Sequence, residues 1–142
     1  MKSIIIKAIT LSIFCLLANA ETLAFRTNTT LNVVQDGVLI REIPGVMRDY
    51  FVGDGIIAYK VPYNNTLYVA HQNTRFTPVR AAYNINSVEV AGANVFFRSN
   101  NSLYVVTSFE TEFSYRFISG DIRDFKVFEK PGKVSPISLP GR

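Results

Sequence analysis

His71 is the one histidine of the chain, and a single imidazole limits the nucleophilic and metal chemistry available. A serine triad would need His71 to meet an activated hydroxyl and an acid, and no Gly-x-Ser-x-Gly elbow is present. A metal site would need several ligands, and none cluster near position 71. Glu110 and Glu112 are two residues apart, which in a strand sets both carboxylates on one face, as a glycosidase pair or cation site would use them. A sugar must pass between the two carboxylates of a glycosidase, so neighbours on one strand suit a charged edge better. The chain is therefore expected to be no enzyme and to need no cofactor. A hydrolase or metal enzyme using His71, Glu110 and Glu112 is the competing expectation.

Basic residues form a more regular set. Arg26, Lys60 and Arg98 recur in phase, with Tyr68 and Tyr104 on the strand that follows. Cations repeated in this way suit sulfated or phosphate-bearing sugars, or an acidic protein surface. These five residues are the candidate ligand-binding set. Arg48 and Arg123 also recur, but each is followed by an acid, Asp49 or Asp124, that can pair with it. Asn28, Asn64 and Asn100 each open an Asn-x-Ser/Thr sequence. Tight turns tolerate Asn and a duplicated unit copies its turn, so they read as turn residues, with glycosylation as the alternative.

The elements that carry these residues are repeated. Phe25-Arg26-Thr27-Asn28-Thr29-Thr30-Leu31-Asn32-Val33 returns as Phe97-Arg98-Ser99-Asn100-Asn101-Ser102-Leu103-Tyr104-Val105, with Tyr59-Lys60 and Leu67-Tyr68-Val69 between. Leu31, Leu67 and Leu103 are spaced by 36 residues, and the middle copy holds a two-residue insertion at Val61-Pro62. A second landmark, Ile43-Pro44-Gly45 through Arg48-Asp49-Tyr50-Phe51-Val52, returns as Ile118-Ser119-Gly120 through Arg123-Asp124-Phe125-Lys126-Val127. The chain opens on the aromatic-basic strand and closes on the Arg-Asp-Phe strand that should precede it. The unit is circularly permuted.

Each unit reads as four short antiparallel strands, placed in the third copy at 88–90, 95–98, 103–107 and 112–117, with Gly92-Ala93-Asn94 and Asn100-Asn101-Ser102 as turns. Leu103 and Val105 share one face of a strand while Tyr104 and Val106 share the other, so both faces want cover. The expected fold is all-β, with three four-stranded repeats arranged like propeller blades; a closed β-barrel or β-sandwich is the alternative. With three units the ends should pair, the segment around Phe25 with that around Phe125. Such pairing closes either one chain tightly or a homodimer of six units.

The aromatic-basic pair, polar residues, Asn-Asn, aliphatic and Tyr resemble the DKNYY repeat of exported bacterial proteins, a family without an assigned activity. Here Thr27 or Ser99 stands near the Asp-Lys of that motif, and Val69 or Val105 replaces its second Tyr. The resemblance implies export and repeated β units, and carries over no catalytic residue.

Composition agrees with strands: 48% of the 142 residues are apolar, with 11 Phe, 7 Tyr and no Trp. Residues 1–20, with Lys2, Lys7, an apolar run and a final Ala18-Asn19-Ala20, read as a signal peptide, which makes the protein secreted or periplasmic. Lys7 cuts the run below the roughly 20 residues of a membrane span. Cleavage would remove Cys15, the only cysteine, leaving a domain without disulfides. Loss of two lysines would also reduce the formal charge of +4 to +2, too little to argue for nucleic acid. Residues 21–128 form the repeat domain, and Pro131, Gly132, Pro136, Pro140 and Gly141 mark 129–142 as a flexible tail. The expected function is a binding module for a glycan or protein surface, with a self-assembling envelope subunit as a further alternative.

Overall fold

The computed structural model describes residues 21–45 and 49–128; the expected signal peptide, the expected tail and residues 46–48 lie outside the described residues. The described chain is all-β, in three antiparallel sheets. The first holds β1 (Thr22–Arg26), β2 (Thr30–Gln35) and β3 (Val38–Pro44). The second holds β4 (Asp49–Gly53), β5 (Ile56–Val61), β6 (Thr66–His71) and β7 (Val79–Ala82), and the third holds β8 (Ser87–Ala91), β9 (Asn94–Ser99), β10 (Ser102–Val106) and β11 (Tyr115–Ser119). Every strand pairs with its neighbour in sequence, and none of the sheets closes into a barrel, which overturns the barrel alternative.

Register shows the repeat at the level of single pairs. Arg26 lies opposite Leu31, Lys60 opposite Leu67 and Arg98 opposite Leu103. One residue back, Phe25 faces Asn32, Tyr59 faces Tyr68 and Phe97 faces Tyr104. Turn chemistry fixes these registers locally. Asn64, Asn65 and Asn100 sit at φ 56°, 44° and 56°, the left-handed region that Asn tolerates best after glycine. In the first sheet the Thr27 hydroxyl accepts from the Thr29 and Thr30 N–H groups at 3.3 and 3.0 Å. The insertion of the middle copy, Val61-Pro62, leads into a 3₁₀ turn at Tyr63–Asn65 with Pro62 as its N-cap.

Side-chain alternation divides the interior between two clusters. Ala24, Leu31, Val33 and Ile43 of the first sheet pack against Ile57, Tyr59 and Ala70 of the second, with Phe76 filling the space beside them. The opposite face of the second sheet, carrying Ile56, Ala58, Leu67 and Val69, packs against Val88, Val95, Phe97 and Val106 of the third. The middle sheet is covered on both faces. Each fully buried Leu, Ile, Val or Phe contributes about 1.5–3 kcal/mol relative to exposure.

Three expectations change. The last strand of the third unit begins at Tyr115 rather than at 112, because the Ser108 hydroxyl draws the Glu110 and Thr111 N–H groups into a turn and Phe113 takes a left-handed φ of 57°. Among the described residues the first sheet has three strands rather than four, β1-β2-β3. Among the described residues of one chain the ends do not pair: there β1 bonds to β2 alone, and residues 120–128 carry no strand.

β1 runs beside β4, and β4 beside β8. The Asp54 N–H donates to the Gly92 carbonyl at 2.7 Å, and a Cβ on Gly53 would run into that carbonyl and into Val90. Gly53→Ala is expected to cost about 1–3 kcal/mol by overpacking. Gly37 has open space around it, although its φ of 80° favours glycine. Urea unfolding should show the larger midpoint shift for Gly53→Ala than for Gly37→Asn, since Asn tolerates left-handed backbone.

Candidate functional site

Arg26, Lys60 and Arg98 occupy one register position in three successive sheets, each at the end of a strand that enters the Asn- and Thr-rich turn. Arg26 is exposed, while Lys60 and Arg98 are half-buried. Lys60 lies across from Asp49, and both line a shallow cavity of about 190 Å³ with Val61, Pro62 and Asn65. The Arg98 Nη1 donates to the Asn100 carbonyl at 2.7 Å, which holds the guanidinium over its own turn. The three cations thus follow one rim of the sheets, beside the turns that carry Asn28, Asn64 and Asn100.

Tyr68 and Tyr104 are placed differently. Tyr68 stacks on Tyr59 with ring centroids 5.2 Å apart and planes 4° from parallel. Tyr104 stacks on Phe97 at 5.1 Å and meets Tyr115 and Phe117 edge-on at 5.3 and 5.8 Å. Both tyrosines are half-buried where sheets meet, so their rings stiffen the scaffold under the cations. Burial pushes the neighbouring Tyr59 hydroxyl well above the ordinary tyrosine range, so it stays protonated.

The competing trio does not converge as a catalytic set. The His71 ring stacks on Phe109 at 5.2 Å, which joins the second sheet to the loop after β10 and brings Glu110 into its field. His71 Nδ1 accepts the Asn73 N–H at 3.0 Å and caps the 3₁₀ turn at Gln72–Thr74. The neutral ring therefore carries its proton on Nε2 and has no free lone pair for a base or a metal. Glu112 points elsewhere, its oxygens taking the Arg80 Nε and Nη2 at 2.7 and 3.1 Å. Both carboxylates belong to a bent loop, so the shared strand face that their spacing implies is not formed.

The Arg80–Glu112 pair was not legible from sequence. Arg80 also donates to the Tyr83 hydroxyl at 3.2 Å and lies 5.7 Å from the Phe113 ring centre, while the Phe113 N–H bonds the Arg80 carbonyl at 3.0 Å. This cluster ties β7 to the loop before β11. Nothing in the repeat marks these residues, because Arg80 leads from β7 to partners in segments whose sequence differs between copies.

No family model, curated protein or solved structure matches the chain.

Desolvation lowers the His71 pKa below its ordinary 6.5, and Glu110 opposes the shift. A lowered pKa favours the neutral ring in the fold, so its stabilising share is complete above pH 6.5 and declines as pH falls from there toward the folded value. His71→Asn keeps a cap acceptor and removes the titration. Denaturation midpoints between pH 7.5 and 5 should fall more for the wild type than for His71→Asn; parallel curves would rule out His71 as a source of the acid sensitivity.

Proposed function

We propose that the protein is a non-catalytic binding module whose rim of Arg26, Lys60 and Arg98 holds an anionic glycan. The observation that carries this reading is the shared register of the three cations on sheets that pack face to face. Packed sheets are about 10 Å apart, so the cations recur at a distance that sulfate or phosphate groups along a polysaccharide can match. Guanidinium and ammonium groups differ in the way they meet oxyanions, Arg as a fork and Lys as a point charge, so the set favours charge over one fixed sugar geometry. Rigid strands and stacked tyrosines hold the rim in place before a ligand arrives, which lowers the ordering cost of binding.

The reading places the module outside the cytoplasm, where such glycans occur, as the signal-like segment and the resemblance to the DKNYY repeat imply. It also takes the stacked sheets as a propeller-like arrangement with one turn-bearing rim open to ligand. Repeated weak charge contacts along a polymer would add through effective concentration.

Dextran sulfate and uncharged dextran of equal length, titrated into the full chain, test the proposal. The sulfated polymer should bind and weaken with added salt, and Lys60→Ala and Arg98→Ala should each weaken it about fivefold, equivalent to roughly 1 kcal/mol per exposed charge pair. Equal binding of both polymers, or none of either, would refute the anionic-glycan reading.

A further inference from the structure

The third sheet launches a segment that pairs with no strand among the described residues. After β3, the Gly45 N–H donates to the Thr29 carbonyl in the turn of the first sheet at 2.9 Å, and β4 then enters the second sheet. After β7, the Asn84 and Ile85 N–H groups donate to Asn64 and Asn65 in the turn of the second sheet at 2.8 and 3.2 Å, and β8 enters the third. After β11, the Ile122 N–H donates to the Asn101 carbonyl in the turn of the third sheet at 2.8 Å. The same anchor is set, and residues 124–128 leave it with Phe125 and Val127 half-buried and Asp124, Lys126 and Phe128 exposed, the alternation of a strand.

A matching slot is open at the other end. β1 is equivalent in register to β5 and β9, yet among the described residues no leading strand lies beside it as β4 and β8 lie beside them. The sheet face beside that slot is also uncovered. Ile57 and Tyr59 are 0% and 4% exposed, and Val95 and Phe97 are 0% and 1%, whereas the equivalent Leu23 and Phe25 are 56% and 45%. At the far end, Phe96, Leu103 and Val105 face away from the second sheet and join neither interior cluster.

We propose that these are two halves of one interface between copies of this chain: residues 124–128 of one copy add to β1 of another, whose Leu23 and Phe25 face then rests on Phe96, Leu103 and Val105 of the donor. Strand and face select the same partner independently. The register follows from β4, where Asp49 opposes Lys60 and Tyr50 opposes Tyr59. It sets Asp124 opposite Arg26, Phe125 opposite Phe25 and Val127 opposite Leu23, so that acid meets base and apolar side chains share the covered face. The contact is heterologous, and such contacts close into rings or run on as fibres. Two chains supply six four-stranded sheets, within the range of about four to eight that closed radial arrays use. The product is a reciprocal dimer. The inference rests on the sheets and not on the glycan reading, so either can fail alone.

Sedimentation of a Cys15→Ser chain tests it, with cysteine pairs to report register. The chain should sediment as a dimer, and both Phe125→Asp and deletion of 124–142 should yield folded monomers by circular dichroism. Phe25→Cys chains mixed with Phe125→Cys chains should form a disulfide between chains, while Phe25→Cys mixed with Lys126→Cys, one residue out of register, should not. A monomeric parent chain would overturn the proposal. So would a mass that keeps growing with concentration, or a Phe25→Cys/Phe125→Cys double variant that locks as a disulfide-bonded monomer.

Discussion

A sheet with two apolar faces cannot rest against water on either side, and that constraint organises the molecule. The middle sheet satisfies it fully: Ile57 and Tyr59 turn one way, Ile56 and Ala58 the other, and all four are buried. Neither neighbouring sheet exists for its own sake in this arrangement. Each supplies the cover that the middle sheet needs, and each is left with an outward face built from the same repeated pattern. Polar links reinforce the alignment without driving it. The Gly55 N–H donates to the Thr22 hydroxyl and Arg41 reaches the Arg75 carbonyl, fixing how the first sheet sits on the second.

The close approach of leading strands follows from that alignment. Stacked sheets in phase bring equivalent edges together, so β4 and β8 meet where side chains have no room. Gly53 and Gly92 stand at this meeting point, and the Asp54 N–H bonds a carbonyl of the adjacent sheet across it. Farther along β5 and β9, the cross-strand pairs Tyr59–Tyr68 and Phe97–Tyr104 stack ring on ring within their own sheets.

Much of this was legible in the sequence because duplication writes register directly. Once Leu31, Leu67 and Leu103 are aligned, the cross-strand partners of Arg26, Lys60 and Arg98 follow, and the structure has those pairs. The all-β class and the turns at Asn64 and Asn100 were legible for the same reason. What escaped was specific to one copy. The loop from Thr107 to Ser114 matches the 72–78 loop of the second unit in place but not in sequence, so the turn that removes Glu110 and Glu112 from a strand left no repeat signal. The seat of His71 also escaped: its ring is half-buried on Phe109, a partner 38 positions away that only the stacking of sheets brings near. Tyr68 and Tyr104 were legible as a repeated pair, but periodicity alone could not distinguish displayed rings from rings held between sheets.

The longer turn of the middle copy bears on how the chain finds its fold. Near-identical units invite a strand to pair with the wrong sibling, a hazard shared by repeat proteins in general. Residues 62–65 break that degeneracy: among the described residues, this is the one turn that presents two successive carbonyls, those of Asn64 and Asn65, to the N–H groups of the segment leaving its sheet, Asn84 and Ile85. A β7 strand laid on β2 or β10 instead of β6 would bring those donors to a turn two residues shorter. The insertion therefore acts as an address, favouring the pairing of β7 with the strand of its own unit.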